Sequence, residues 1–287
     1  MKYSSTLLSA LILASQSYTA LGTFTIAAAD SSTGQVGASG SSCVSGSLYT
    51  VAYHSIPNHG LCMTQGSPPA NPDWDPDVTE PSPVYGVIDA MLANDTDPSI
   101  IIDSITNPKL DDERFMFAFK SVNYRQYGCV DLKGRAAGYT GKDLAKLYAI
   151  MTFGKENVQE DVQGTIGDIV YSAQGNIVSK TTVTTLQSTF VSDGACDLVE
   201  RLYNSLAAVF ESQELIGDIR CFDDNNAAGS SVFIHVDNAD GSEVISIQNR
   251  DPNTSVNPWE EFKGEYEAWR EDNPCPAAQD VNTAVSR

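Results

Sequence analysis

Histidine is scarce in this sequence, with three residues, His54, His59 and His235, in a chain of 287. A Ser–His–Asp triad needs one of them beside an activated serine, and no G-x-S-x-G elbow marks such a serine. A phosphate loop, a G-x-G-x-x-G turn and an H-E-x-x-H helix are all missing, so nothing calls for a nucleotide, a metal or another cofactor. The six cysteines contain no C-x-x-C pair, which argues against a zinc ribbon or a dithiol redox motif. Positive charge is short as well: 17 Lys+Arg stand against 37 Asp+Glu, a net charge of −20. A surface of that sign repels nucleic acid and anionic lipid, so neither is an expected partner. No apolar run is long enough to cross a bilayer as a helix.

What is present begins at the first residues. Lys2 precedes an apolar run from Leu7 to Ala14, then the polar Ser15-Gln16-Ser17. This is the pattern of an export signal, residues 1–22, and it points to a secreted or periplasmic destination. Cleavage after Gly22 leaves small residues, Ala20 and Gly22, at −3 and −1 and starts the mature chain on Thr23. The competing cut after Ala20 puts bulky Tyr18 at −3 and leaves Leu21 and Gly22 in front of Thr23. An even cysteine count in an oxidising compartment predicts disulfides, whose pairing the spacing does not choose. Asn94 and Asn253 open N-x-[ST] triplets, which carry meaning only in a eukaryotic secretory host.

Along the mature chain, 23–30 and 35–42 read as a β-hairpin around Ser31-Ser32-Thr33-Gly34. The return strand is rich in small residues, with Gly37 and Gly40, which implies close approach of another backbone or a ligand, or simply tight sheet packing. Residues 49–54 and 61–65 read as short strands. The proline-rich acidic stretch 66–83 reads as a loop insertion. Helices are expected over 83–93 and from Asp97-Pro98 to Ile105. A second hairpin, 123–131 with 135–140, turns at Gly134. A strand is expected at 169–173 and helices at 181–190 and 197–210. A third hairpin, 232–236 with 244–248, turns at Asp240-Gly241, and an amphipathic helix closes the chain at 258–269. The order predicts one α+β domain over 23–273 with stacked antiparallel sheets covered by helices, followed by a tail, 274–287.

Two local clusters suggest metals and fail on their spacing. His54, His59 and Cys62 lie close together, but Pro57 breaks a shared face and Cys62 is a disulfide candidate, so they read as ordinary loop residues. Asp73, Asp75, Asp77 and Glu80 resemble part of a calcium loop, without its central glycine or its bidentate glutamate, and read as a solvated acidic loop.

Thr23 carries the chemistry. A hydroxyl is a poor nucleophile without an adjacent base. An N-terminal threonine brings its own base, an α-amine of pKa about 7.7–8.0, and needs no histidine. The requirement is a cut immediately before the residue and a polar cleft to hold the new terminus.

The stretch TFTIAAADSSTGQVG resembles the opening of the bacterial domain of unknown function 1028 family, T-F-S-I-x-A-x-D-x-x-T-G-x-x-G. YRQYGCVDLKGRAAGYTG and Ala173-Gln174-Gly175-Asn176-Ile177-Val178 are similar to two further blocks of that family, in the same order. The resemblance runs from Thr23 to about Trp269. The family is assigned to the N-terminal nucleophile (Ntn) hydrolase superfamily, which implies a four-layer αββα sandwich. It implies Thr23 as catalytic nucleophile, and Ser42, Thr140, Gln174 and Asn176 as polar positions that hold the amine, an oxyanion or substrate. Asp30, Gly34, Arg125, Gln126, Asp131 and Gly141 match as well, where turns and strand ends explain them. One departure stands out: the family often has Lys or Arg after the serine matching Ser42, and this chain has Cys43.

Two functions follow. One is an exported amidohydrolase acting on a small-molecule or peptide-like amide. The other is a non-catalytic exported binding protein on the same scaffold. A homo-oligomer is compatible with either.

Overall fold

Thr23–Asp30 (β1) forms the middle of the structure, and all eight of its residues are buried. The computed structural model describes residues 22–43, 47–69, 80–110, 114–115, 119–145, 156–192, 194–222, 227–250 and 257–275. Residues 1–21, where an export signal is expected, most of the 66–83 insertion with Asp73, Asp75 and Asp77, Asn253, and the tail from 276 onwards lie outside them.

β1 pairs antiparallel with Gln35–Ser42 (β2) on one side and with Ile169–Val178 (β10) on the other. With Val158–Ile166 (β9), Ser231–Asp237 (β11) and Glu243–Arg250 (β12) they make a six-stranded sheet in the order β12-β11-β2-β1-β10-β9. A second sheet contains Tyr53–Ile56 (β3), Gly60–Gly66 (β4), Arg125–Asp131 (β7) and Ala136–Thr140 (β8), in the order β3-β4-β7-β8. Arg114–Phe115 (β5) and Phe119–Lys120 (β6) form a two-stranded ribbon. Six α-helices complete the described residues: Leu48–Ala52 (α1), Pro83–Ala93 (α2), Pro98–Ile105 (α3), Thr182–Ser192 (α4), Leu198–Phe210 (α5) and Trp259–Asp272 (α6). The class is α+β, as the element order predicts, and none of these helices is long and apolar enough to cross a membrane.

The period-two alternation of β1 sends its side chains into two separate cores. Phe24, Ile26 and Ala28 pack with Leu186, Phe190, Leu202 and Phe262 of the helices. Ala27 and Ala29 pack with Leu61, Met63 and Val130 of the second sheet, so the two sheets face one another. On the far side of the second sheet, Tyr127 and Cys129 pack against Val84, Ile88, Ile101 and Ile105 of α2 and α3. Full burial of a side chain of the Leu, Ile or Phe size contributes about 1.5–3 kcal/mol before entropy is counted. Small residues let the strands approach. A Cβ on Gly40 would lie 2.6 Å from Thr25 Cγ2 and 2.7 Å from the Phe24 carbonyl oxygen, which gives the Gly37–Gly40 run its packing explanation.

All six cysteines are paired, as Cys43–Cys221, Cys62–Cys129 and Cys196–Cys275. Cys62 therefore has no thiolate to offer a metal, and the neighbouring His59 bonds Asp95 through Nδ1 at 2.7 Å. Cys196–Cys275 and the ion pair of Arg270 with Asp197 tie the end of α6 to the start of α5, where Asp197 also caps the helix.

The three expected hairpins are present, with two differences elsewhere. The stretch 49–54, expected as a strand, divides: Leu48–Ala52 form α1, where the Ser47 side chain accepts the Thr50 N–H, and the strand begins only at Tyr53. The strand expected at 169–173 runs on to Val178, and Val158–Ile166, where no element is expected from the sequence, is its antiparallel partner β9. β9 lies at the sheet edge, which tolerates its polar sequence VQEDVQGTI.

Candidate functional site

Thr23 begins the central strand, and the register puts Ser42 directly opposite on β2 and Asn176 directly opposite on β10. Gln174 lies two residues along, opposite Thr25. All of these side chains are fully buried on the face turned to the second sheet. Thr140 sits on that second sheet, opposite Gln126. Four of the five sequence-derived positions thus converge at one end of the space between the sheets, and the fifth reaches them through Gln126.

Gln126, fully buried, joins the group. Its Oε1 accepts from Gln65 Nε2 at 2.6 Å and from Asn176 Nδ2 at 3.2 Å. Its Nε2 donates to Thr140 Oγ1 and the Glu160 carbonyl, both at 2.9 Å, and to the Gly175 carbonyl at 3.1 Å. Gln65 Oε1 in turn accepts from Thr25 Oγ1 at 2.9 Å, and Thr140 Oγ1 donates to Asp161 Oδ1 at 2.5 Å. Gln126→Ala is expected to cost about 3 kcal/mol, because it strands buried donors and carbonyls at once. Urea unfolding measures this, and a loss below about 0.5 kcal/mol, the size of an ordinary surface change, would contradict the network.

The residue before Thr23 is held as firmly as Thr23. Thr23 Oγ1 donates to Ser42 Oγ at 3.2 Å, and Ser42 Oγ donates to the Gly22 carbonyl oxygen. Arg220 Nη2 donates to the same carbonyl oxygen at 2.9 Å. Arg220 also pairs with Asp218, through Nε to Oδ1 at 3.0 Å and Nη2 to Oδ2 at 2.5 Å. Asp218 is fully buried, and its Oδ2 accepts the Cys43 N–H at 2.8 Å. The Cys43–Cys221 disulfide fastens this loop to the end of β2 across 178 residues of sequence.

Asp218 and Arg220 escape a sequence reading because their partners are about two hundred positions away. The one available signal was Cys221 beside Arg220, provided its partner were known to be Cys43. Cys43 carries no charge, and its disulfide partner Cys221 adjoins Arg220, whose guanidinium lies at the Gly22 carbonyl.

Two further features mark this corner. Ile177 has φ 54°, a left-handed conformation that costs a β-branched residue about 1–3 kcal/mol and that gathers at functional sites. It sits at the bulge between Asn176 and Val178. Gln174 Nε2 and Oε1 and Asn176 Oδ1 are buried without a hydrogen-bond partner among the described residues. Gln174 fits between the sheets only because residue 128 is glycine: a Cβ there would lie 2.6 Å from Gln174 Oε1. Buried amides left unpaired cost about 1–3 kcal/mol each, which is the expected signature of groups waiting for a ligand or a new chain terminus.

An open cavity of about 440 Å³ lies beyond Thr140, lined by Gly141, Lys142, Asn157, Gln159 and Glu160 among others. Thr23 is not in its wall; Gln126 and Asn176 stand between them. Of the remaining matched positions, Asp30 and Asp131 serve turns: Asp30 accepts from Ser32, and Asp131 from Lys133 and Arg135.

The geometry defines an α+β protein with two facing antiparallel sheets and a buried polar site where the central strand begins. Within that class the chain belongs to a family of unknown function (DUF1028), whose model matches residues 23–221 and so spans Thr23, Ser42, Thr140, Gln174, Asn176, Asp218 and Arg220. Its fold is similar to that of protein SPO2555 from Silicibacter pomeroyi, also described as DUF1028, with a TM-score of 0.58. The two sequences are 18% identical, and the likeness covers 87% of this chain and 89% of that one. No curated protein matches the sequence.

Proposed function

We propose that this protein is an exported amidohydrolase of the Ntn type, cut between Gly22 and Thr23 and using Thr23 as an N-terminal nucleophile. The two facing sheets with their outer helices are then the αββα sandwich of that superfamily, a single domain over 23–273. The observation that carries the reading is the treatment of the Gly22 carbonyl. It lies next to the Thr23 hydroxyl and receives two donors, one of them charged. Donors fixed at that point are what a tetrahedral oxyanion needs.

The reaction follows from these groups. The free α-amine of Thr23 takes the hydroxyl proton, and Thr23 Oγ forms a bond to the substrate carbonyl carbon. Ser42 Oγ–H and Arg220 hold the resulting oxyanion. The amide C–N bond breaks, and the leaving amine takes the proton from the α-amine. Water then cleaves the threonyl ester, releasing a carboxylic acid and restoring Thr23. Asn176 Oδ1, opposite Thr23 and without a hydrogen-bond partner among the described residues, is suited to receive the new ammonium.

In the uncut chain Gly22 and Thr23 are both buried, so an external protease reaches their bond only before the chain folds. An export peptidase acting on the emerging chain meets that condition. N-terminal sequencing of the secreted protein tests it: the account expects Thr23 as first residue, and a chain starting on Leu21 would end it. A second reading, a binding protein on the same scaffold, is favoured by the cavity beyond Thr140, which Thr23 does not line. It expects a ligand held equally well by wild type and Thr23→Ala.

A further inference from the structure

Gly22 occupies more than a cleavage position. An ester on Thr23 Oγ and an amide on Thr23 N differ by the length of one short side chain. Any acyl group transferred to Thr23 therefore enters the space that Gly22 now fills. The walls of that space determine which acyl groups it takes, and this argument rests on the nucleophile role of Thr23.

The walls are close. A Cβ added to Gly22 would lie 2.7 and 2.8 Å from the two Asp218 carboxylate oxygens and 2.9 Å from Ile177 Cβ. Non-bonded heavy atoms rest at about 3.5–4.0 Å, so all three contacts are repulsive. Neither wall is free to retreat. Both Asp218 oxygens are bonded to Arg220, and one also to the Cys43 N–H. The backbone under Asp218 is pinned by Asp218 N–H to the Ala228 carbonyl at 2.8 Å and by Ile219 N–H to the Ile177 carbonyl at 3.1 Å. The Cys43–Cys221 disulfide closes the same loop. Ile177 is set by the β10 bulge and its left-handed backbone.

We propose that this pocket is the acyl subsite and that it selects peptide-like amides with glycine on the acyl side of the scissile bond. Its carbonyl is held by Ser42 and Arg220, and an L side chain is excluded by Asp218 and Ile177. Asp218 then has two tasks: it positions the Arg220 guanidinium, and it fills the place where a side chain would go.

The test uses the mature protein beginning on Thr23, with fluorogenic acetyl-glycyl and acetyl-L-alanyl amides of aminomethylcoumarin. The expected kcat/KM is about 30-fold or more in favour of the glycyl amide, the size of effect an overpacked methyl produces. In Asp218→Ala both rates fall, because Arg220 loses its anchor, and the ratio moves towards one. Labelling of Thr23 by a β-lactone, run on the same samples, separates the two levels of failure. If Thr23 is labelled but the alanyl amide is cleaved as well as the glycyl one, or neither is cleaved, the subsite assignment is overturned and the nucleophile stands. If Thr23 is unlabelled and no amide is cleaved, the nucleophile reading is overturned and the subsite with it. A ratio unchanged in Asp218→Ala removes Asp218 as the wall.

Discussion

Thr23→Ala is expected to lower kcat/KM for amide hydrolysis by roughly 10⁴–10⁶-fold, the range seen when a catalytic nucleophile is deleted. The folded protein should survive the change. The side chain donates a hydrogen bond to Ser42 Oγ, and a bond of this kind is worth about 1 kcal/mol. Thr23→Ser keeps a hydroxyl next to the α-amine and should keep measurable turnover. The wild-type rate should rise with pH through about 7.7–8.0, because only the unprotonated amine can accept the hydroxyl proton. A base elsewhere in the protein would move that profile to its own pKa. A Thr23→Ala protein that folds and hydrolyses normally would remove the enzymatic reading altogether.

Removing the Cys43–Cys221 disulfide should be the costliest change to stability. Its 178-residue span corresponds to about 5 kcal/mol of chain entropy in the unfolded state. Cys43→Ala with Cys221→Ala should therefore show a large fall in urea midpoint. It should also reduce activity per folded molecule, because the loop that carries Asp218 and Arg220 is released from the end of β2. Cys62–Cys129 provides the contrast. It spans 67 residues, worth about 4 kcal/mol on the same basis, and faces α2 and α3 on the far side of the second sheet. Its removal should destabilise by a comparable amount and leave kcat and KM of the folded fraction unchanged. Equal losses of activity in both double variants would mean that Arg220 has no special part in the site.

Where local chemistry and tertiary packing agree, the sequence is readable. The hairpins announce themselves because each turn contains the residues its backbone requires, such as Gly34 at φ 74°, Gly134 at φ 78° and Gly241 at φ 81°. Leu48 to Ala52 misleads, because Tyr, Thr and Val favour strands, yet the Ser47 cap and the burial of Leu48 and Ala52 against the sheets make a helical turn. The edge strand β9 is hidden for a different reason: Val158, Val162 and Ile166 pack on the core, but Glu160 and Gly164 stand between them and interrupt the apolar alternation.

The site divides in the same way. Thr23, Ser42, Gln174 and Asn176 lie on three adjacent strands and are brought together by register alone. Gln126 was legible as a matching position but not as the residue that links the two sheets, since that depends on how they face. Asp218 and Arg220 depend on a loop, an isolated bridge to Val178 and a disulfide. No pattern within the chain foretells such a meeting.

The most direct test of the nucleophile is mass spectrometry of the secreted protein after exposure to a β-lactone. The expected result is an N-terminal peptide that begins on Thr23 and carries one acyl adduct on that residue, absent from Thr23→Ala. An unmodified chain that begins on Leu21, or an adduct on any other hydroxyl, would contradict it.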